Sequence, residues 1–266
     1  MIAFAKQANY EDDKPSVSRL WDHHYLLFLS DVTAVFDGFK ALDIPAIGIG
    51  HNELRVIIGP NGAGKTTFCD IVTGKTRPTT GQVHFDREEI TSLPEAEIAR
   101  RGIGRKFQTP TVFDSLTTYE NMELALPGNK NLWFNLTAKR TSEEKDRIMS
   151  ILRRVRLDQA VDTPARFLSH GQRQWLAISA LILSSPKLLL VDEPAAGLTD
   201  SETALTAELL LELQKEHTLI VIEHDMDFVR RLNSRVTVLN EGRVMAEGTL
   251  DEVKENQLVI EAYLGR

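Results

Sequence analysis

Short, unbroken apolar runs alternate along the chain with longer segments whose apolar residues recur at helical spacing. The runs Leu54–Ile58, 188–191 and Thr218–Ile222 are rich in leucine and β-branched residues, and they have the length of strands buried on both faces. Segments 172–183 and 201–215, which lie between them, have the spacing of amphipathic helices. Because strands and helices follow one another in this order, the pattern predicts an α/β fold with a mostly parallel sheet.

Other regions depart from this alternation. Residues 25–35 are apolar and β-branched, which predicts one or two edge strands, whereas residues 1–24 are polar without periodicity and predict a loose leader. Later in the chain, helical patches and loops interrupt the α/β order. Helices are expected there at 118–126 and 142–155, with Ser142 giving the second a capped, acidic start. The pattern therefore predicts an α/β domain with a helical insert.

A glycine-rich stretch directly follows the first buried run and has the phosphate-loop pattern: two glycines separated by four residues, then Lys and Ser or Thr. Its glycines allow successive backbone N–H groups to point inward and bind an anion, and the following helix adds the positive end of its dipole. Lys65 is expected to reach the β- and γ-phosphates of a nucleotide, and the Thr66 hydroxyl to coordinate magnesium. A glycine turn without a ligand is the alternative, but it gives no packing reason for Lys and Thr at this offset. The predicted nucleotide-binding residues are Gly59, Pro60, Asn61, Gly62, Ala63, Gly64, Lys65, Thr66 and Thr67.

Polar residues follow the two later strands at the edge where parallel sheets bind their ligands. The run 188–191 ends in Asp192 and Glu193, and His224 comes two residues after Thr218–Ile222. In phosphate-loop enzymes an Asp at such a strand end holds the magnesium shell, which leaves Glu193 to polarise a water. His224 is placed to bond the γ-phosphate and hold that water. The alternatives are a solvated acidic turn for the carboxylates and a cap for the histidine, but the shared edge favours a catalytic site.

Two further positions have both a structural and a binding interpretation. Ser169 is a suitable N-cap for the helix that follows it. Together with the Gly171 amide and the helix dipole, it also predicts a second anion site. That site would meet the nucleotide of another subunit if it lies across the helical insert from its own. Phe36 could stack on a base, or it could be a core aromatic at a strand end.

The composition narrows the class of protein. The 266 residues carry a formal charge of −7, which argues against a protein that coats nucleic acid, since such a protein would favour a basic face. The single cysteine, Cys69, excludes an internal disulfide, fits a reducing compartment and is interpreted as a core residue. Neither a signal-peptide pattern nor an apolar run of membrane-spanning length is present. We therefore expect a cytoplasmic protein. If it serves a membrane process, the membrane-spanning part is expected to be another chain.

Five motifs in this order resemble the ATP-binding cassette (ABC) ATPases of membrane transporters, over about residues 26–266. They are the phosphate loop, Gln108, the signature stretch 168–172, the strand end 188–193 and His224. The resemblance implies a RecA-like phosphate-loop NTPase core with an antiparallel β edge subdomain and an α-helical insert. The implied parts are a core formed by 25–108 and 168–248, a helical subdomain 109–167 and a C-terminal helix 249–266.

The resemblance also implies the roles of individual residues around ATP and Mg²⁺. Gln108 would contact magnesium and the attacking water, and it would mark the hinge to the helical insert. Glu193 would be the general base, and Asp192 would belong to the magnesium shell. Phe36 would stack on adenine, although many relatives have Tyr there.

Partner chains follow from the same resemblance. Ser169, Gly171 and Gln172 would meet the γ-phosphate of a second ABC ATPase subunit, identical or different, so that two subunits sandwich two ATP molecules. This chain would lie on the inner face of the cell membrane, where its groove beside Gln108 would receive a short cytoplasmic helix of the transmembrane permease subunits. Those subunits would receive solute from an extracytoplasmic binding protein. His170 stands where glycine is usual and Thr199 where aspartate is usual, but neither departure removes a catalytic group.

The transported solute is suggested by several local stretches. Four stretches look most like the branched-chain amino acid and amide uptake group: 104–110, 192–198, 223–226 and 262–265. Three look closer still to the urea transporter ATPase subunit that pairs with a second, similar subunit: 36–42, 104–113 and 168–172. We therefore predict uptake of urea or a related small amide. The alternatives are the branched-chain amino acid importer ATPase and a non-transport ABC ATPase acting in DNA repair or translation. A non-hydrolysing scaffold and a phosphate-loop kinase fit less well, because the catalytic residues and the signature stretch are intact.

Overall fold

The computed structural model describes residues 24–106, 112–126 and 141–264. The strands in these ranges are β1 (Tyr25–Phe36), β2 (Phe39–Gly50), β3 (Leu54–Ile58), β4 (Thr80–Phe85), β5 (Glu88–Glu89), β6 (Ile103–Lys106), β7 (Leu188–Asp192), β8 (Thr218–Ile222), β9 (Arg235–Asn240) and β10 (Arg243–Gly248). The helices are α1 (Lys65–Val72), α2 (Glu95–Arg101), α3 (Thr118–Ala125), α4 (Ser142–Arg154), α5 (His170–Ile182), α6 (Asp200–Leu213), α7 (Met226–Leu232), α8 (Leu250–Glu255) and α9 (Gln257–Leu264). None of the helices within the described ranges is long and apolar enough to cross a membrane.

A six-stranded sheet carries the phosphate loop, in the order β10-β9-β3-β8-β7-β6. All neighbouring pairs are parallel except β10 with β9. The mostly parallel sheet predicted from the sequence is therefore confirmed. Because β3, β6, β7 and β8 run in the same direction, they end at one edge of the sheet, which we call the carboxyl edge.

The unbroken apolar runs have a direct structural cause. Alternate residues of each central strand point to opposite faces, and both faces are covered. Val56 and Val221 belong to the apolar core that includes the helices of the insert. Ile57 and Ile220 belong to the core shared with α1 and the second sheet. A strand in this position has no solvent face, so its pattern is almost entirely apolar; the exception in β3, Arg55, is buried and paired with Glu53 and Glu247.

The second sheet is antiparallel, in the order β2-β1-β4-β5. Residues 25–35, expected as one or two edge strands, form the single strand β1, which lies between β2 and β4 rather than at an edge. Strand β2 was not predicted, since Pro45, Gly48 and Gly50 interrupt its apolar pattern. The hairpin that joins β1 to β2 turns at Asp37 and Gly38, both with positive φ.

Two helix ends differ from the sequence-based predictions. Thr141, not Ser142, caps α4: its hydroxyl accepts the Glu144 N–H at 3.2 Å, and the Glu144 carboxylate accepts the Thr141 N–H at 2.9 Å. The glutamate three residues after Thr141 decides between the two adjacent hydroxyls. The C-terminal segment forms two helices instead of one, because Asn256 is extended and its side chain accepts the Leu258 N–H at 3.0 Å.

Candidate active site

The loop between β3 and α1 curls around its own lysine. The Ala63 N–H donates to the Pro60 carbonyl at 3.1 Å. Lys65 Nζ donates to the carbonyls of Gly59 and Pro60 at 2.6 and 2.9 Å. Helix α1 begins at Lys65. The lysine and the N-terminal turn of α1 therefore lie at the same loop, which is the arrangement that binds phosphate groups.

Neighbouring main chain fixes the shape of this loop. A Cβ on Gly59 would overlap the Leu239 carbonyl oxygen, and one on Gly64 would lie 2.8 Å from the Ala41 carbonyl oxygen. The Gly242 N–H also donates to the Ala63 carbonyl at 3.0 Å. Both sheets thus hold the loop through backbone atoms, which cannot move aside as side chains do.

The carboxylates at the end of β7 lie beside this loop. Asp192 is the last residue of β7, and Glu193 leaves the strand with a φ of 44°, in the left-handed region. Burial lowers the pKa of Lys65, and the charges of Glu193 and then Asp192 oppose that shift. Both carboxylates are therefore close enough to act on the lysine of the loop. The turn at Glu193 separates the two side chains, so they have different environments.

A chain of ion pairs anchors Asp192 to helix α1. Arg105 of β6 pairs with Asp70 of α1 and, at 3.4 Å, with Asp192 Oδ2. Burial raises the pKa of Asp192, and the Arg105 charge opposes that rise. Sequence reasoning did not identify Arg105 or Asp70. Arg105 could have been noticed in the sequence because it lies near the end of β6, a strand that runs parallel to β7.

His224 completes the group at the carboxyl edge. It follows β8, and its Nδ1 atom lies 3.5 Å from Glu193 Oε1. The imidazole is mostly exposed, so it is accessible from solvent. The structure therefore brings Lys65, Glu193 and His224 to one edge of the sheet, as the parallel-strand rule predicted.

Two buried charges that the sequence analysis missed lie beneath this group. Glu223 is 1% exposed, and its carboxylate accepts three backbone N–H groups. Lys106 is 3% exposed, and its Nζ donates to the Asp192 carbonyl at 3.4 Å. Burial lowers the pKa of Lys106 to about 8, against the opposing charges of Asp192, Glu223 and Glu193. The sequence places Glu223 directly after β8, but it does not show which way its side chain turns.

The signature stretch contacts a different part of the chain. Ser169 caps α5 in a capping box with Gln172, and its hydroxyl donates to Glu202 Oε1 at 3.0 Å. His170 Nε2 lies 3.2 Å from the Ala196 carbonyl oxygen. Thr199 caps α6, and its hydroxyl donates to Glu202 Oε2 at 2.9 Å. These contacts of the signature stretch therefore lead to residues 196–202.

The remaining predicted positions have simple placements. Phe36 ends β1 opposite Phe39 and is 47% exposed, so the alternative of a core aromatic is wrong. Thr66 lies in the first turn of α1 and is exposed, as a magnesium ligand would need. Cys69 is fully buried behind the loop, as predicted, and burial raises the pKa of its thiol to about 12. Gln108 lies outside the described residues.

Comparison with known families identifies this arrangement. The family model described as "ABC transporter" matches residues 43–196, more than half of the chain. The chain belongs to the ABC transporter ATPase family. A second model, the branched-chain amino acid ATP-binding cassette transporter, matches residues 243–266. The two matches together cover the phosphate loop, β7 and the C-terminal helices of this ABC ATPase.

Individual proteins agree with the family models. BraF of Pseudomonas aeruginosa, a high-affinity branched-chain amino acid transport ATP-binding protein, is 36% identical over 249 residues, covering 90% of this chain and 98% of BraF. LivG of Escherichia coli K12 is 34% identical over 249 residues, covering 90% of this chain and 98% of LivG. A solved nucleotide-free ATP-binding cassette from an ABC transporter has a TM-score of 0.79 at 30% identity, covering 91% of this chain and 99% of that one. A dimeric cassette bound to ADP and Pi has a TM-score of 0.69 at 28% identity, covering 84% and 98%.

These matches confirm the predicted fold class and the predicted enzyme class. The chain is an ATP-binding, ATP-hydrolysing ABC transport ATPase of the branched-chain amino acid transport group. The narrower prediction of a urea transporter subunit receives no support from them.

Proposed function

We propose that this ABC ATPase drives solute import by hydrolysing ATP at the carboxyl edge, with Glu193 as general base and Lys65 and His224 at the γ-phosphate. The observation that carries the proposal is the meeting of these three side chains, with His224 Nδ1 3.5 Å from Glu193 Oε1. In this arrangement Glu193 orients a water and accepts its proton, while His224 holds the water and the phosphate oxygen in line. Phe36, exposed at the hairpin, stacks on the adenine.

Oxygen donors around the loop fit a magnesium ion. Asp192 and the Thr66 hydroxyl are hard ligands of the kind Mg²⁺ prefers, and the phosphates of ATP would supply the others. Outside residues 107–111, 127–140 and the two chain ends, no cluster of three or more His, Cys, Asp or Glu forms a metal site without the nucleotide. When bound, the ion neutralises charge on the β- and γ-phosphates. Gln108 is a further ligand by resemblance.

A second ATPase subunit completes the site in this proposal. Ser169, Gly171 and Gln172 bind the γ-phosphate held by the partner. The contacts of Ser169 with Glu202 and of His170 with Ala196 support this role, because they place the signature stretch beside the loop that follows Glu193. The solved dimer bound to ADP and Pi among the similar structures also supports it. The membrane permease docks beside the helical insert on the inner face of the membrane and receives solute from an extracytoplasmic binding protein.

The relatives favour branched-chain amino acids as the solute. BraF and LivG are named for that transport, and each is matched over nearly its whole length. Urea or a small amide is the second candidate, supported by the sequence stretches at 36–42 and 104–113. Uptake of labelled leucine and of labelled urea by cells lacking this chain, and again after it is restored, distinguishes the two.

Replacing the proposed base tests the mechanism. In the transporter assembled with its membrane partners, Glu193→Gln is expected to lower kcat for ATP by about 10²–10⁴-fold, because the amide keeps the shape but cannot accept a proton. Phosphate release measures kcat, and a fluorescent ATP analogue measures binding, which is expected to stay within about three-fold, since the phosphate loop is untouched. Glu255→Gln, at an exposed position of α8, is the matched control. Near-normal turnover by Glu193→Gln would contradict the assignment.

A further inference from the structure

One buried carboxylate joins the two turns that carry the proposed catalytic residues. Glu223 Oε1 accepts the Ala195 N–H at 2.9 Å, and its Oε2 accepts the N–H groups of His224 and Asp225 at 2.9 and 3.2 Å. Ala195 belongs to the turn that follows Glu193. The other two amides belong to the turn that follows β8. A single side chain thus holds main-chain atoms from both turns.

The turn after β7 is not fixed by regular sheet bonding alone. Glu193 has left the strand in the left-handed region, a strained backbone conformation for a non-glycine residue. Its N–H still donates to the Ile222 carbonyl at 2.9 Å, but the next residue, Pro194, has no N–H. The bond from Ala195 to Glu223 is therefore the next hydrogen bond available to hold this turn against β8.

Burial raises the pKa of Glu223, and its hydrogen bonds and the neighbouring charges oppose that rise. An ionised carboxylate at 1% exposure requires hydrogen bonds and an opposite charge to remain stable. The three backbone N–H groups supply the hydrogen bonds. The buried Lys106 ammonium of β6 supplies the charge, since it interacts electrostatically with Glu223. Lys106 also bonds the Asp192 carbonyl, so β6, β7 and β8 are tied together beneath the site.

We propose that Glu223 is a positioning residue for ATP hydrolysis: by holding the backbone of both turns, it sets the distance between Glu193 and His224. The proposal rests on the catalytic roles proposed for those two residues. Glu223 does not contact the nucleotide in this scheme. It acts on kcat through the geometry of the other two side chains, and it leaves the phosphate loop unchanged.

The isosteric variant Glu223→Gln tests this role in the assembled transporter. A Gln side chain has one acceptor oxygen, so it can accept either the Ala195 N–H or the N–H groups of His224 and Asp225, but not both sets. Its NH2 group then faces the remaining N–H groups, which are donors and cannot accept a hydrogen bond from it. We expect kcat to fall by about 10–100-fold, the loss typical when a group that orients a catalytic residue is changed. KM for ATP and the affinity for a fluorescent ATP analogue are expected to change less than about three-fold.

Asp225→Asn is the matched control, because its carboxylate is adjacent in sequence but caps α7 by accepting the N–H groups of Asp227 and Phe228. Near-normal kcat is expected for it. A double variant adds a sharper criterion: in the His224→Ala background, Glu223→Gln is expected to lower kcat far less than in the wild type, because the distance it sets no longer matters. An equal loss in both backgrounds would overturn the proposal, as would an unchanged kcat in Glu223→Gln.

A measurement on the unaltered chain avoids dependence on a variant that folds poorly. The amides of Ala195, His224 and Asp225 are expected to exchange with solvent much more slowly than those of exposed turns, because each is bonded to a buried carboxylate. Rapid exchange at all three would overturn the proposal. If Glu193→Gln keeps normal turnover, the proposed function itself fails. If Glu193→Gln abolishes turnover while Glu223→Gln does not change it, the positioning role alone fails.

Discussion

The chain has two loops proposed to bind phosphate, and they are held in opposite ways. The phosphate loop, residues 59–64, is fixed by main chain: Gly59 and Gly64 have carbonyl oxygens where a side chain would begin. The signature stretch is fixed by side chains: Ser169 donates to Glu202, and a Cβ on Gly171 would meet the same carboxylate at 2.6 Å. The backbone of the first loop is preformed and only its Lys65 side chain is engaged within the chain, whereas the second loop is held by the Ser169 hydroxyl itself.

This difference fits the order of events in the proposed cycle. The main chain of the phosphate loop is already shaped to accept the nucleotide, and only the Lys65 ammonium must exchange the Gly59 and Pro60 carbonyls for phosphate. The signature stretch meets the γ-phosphate only when two subunits close, and the Ser169 hydroxyl must then exchange Glu202 for phosphate. A bond that can be exchanged suits a contact that forms and breaks in every cycle.

The largest loss of stability is expected from a glycine substitution in the phosphate loop. Gly59→Ala is expected to lower the free energy of unfolding by about 3 kcal/mol or more, because its Cβ would overlap the Leu239 carbonyl oxygen and the backbone must shift. Gly62→Ala is the matched control: its Cβ has no neighbour within 4 Å, so only the left-handed φ of 81° opposes it, at about 1–2 kcal/mol. Urea denaturation without nucleotide measures both. Equal losses would mean that main-chain contact does not fix this loop.

A smaller effect is expected at the signature stretch. Gly171→Ala gains about 1 kcal/mol of helix propensity and loses a comparable amount by displacing the Glu202 side chain, so its net effect on stability is expected to be small. In the Glu202→Ala background the loss disappears, and the same substitution is expected to stabilise the chain by about 1 kcal/mol. A double-mutant cycle by urea denaturation measures this coupling. If Gly171→Ala has the same effect in both backgrounds, the two residues do not interact as described.

Several parts of the fold and of the candidate site could be predicted from the sequence. β3 and β8 match their predicted bounds, since strands covered on both faces leave a run that is almost entirely apolar. The meeting of Lys65, Glu193 and His224 follows from the rule that parallel strands end at one edge. Ser169 as an N-cap follows from its side chain and the Gln172 three residues later.

What the sequence did not reveal depends on tertiary contacts. Strand β2 carries a proline and two glycines, and it is held in place by pairing along the full length of β1. The inward turn of Glu223 depends on amides that come from two distant segments, so no local pattern marks it. The bond from Ser169 to Glu202 joins residues 33 apart, and only the packing of α5 near α6 brings them together.

The smallest effect on stability is expected from a labelling experiment that leaves both loops unaltered. At pH 8 a thiol with a pKa of about 12 has a thiolate fraction about 10³-fold lower than one at the ordinary value of 9.0, so native Cys69 is expected to resist a small thiol reagent. Because the pKa is raised to about 12, the thiolate fraction keeps rising about ten-fold for each unit by which the pH increases, until the pH approaches 12. Phe167→Cys, at a position 68% exposed beside the signature stretch, is expected to react at an ordinary rate with little change in stability. Rapid native labelling of Cys69 would show that α1 opens behind the phosphate loop, and the two loops would then differ less in rigidity than their contacts indicate.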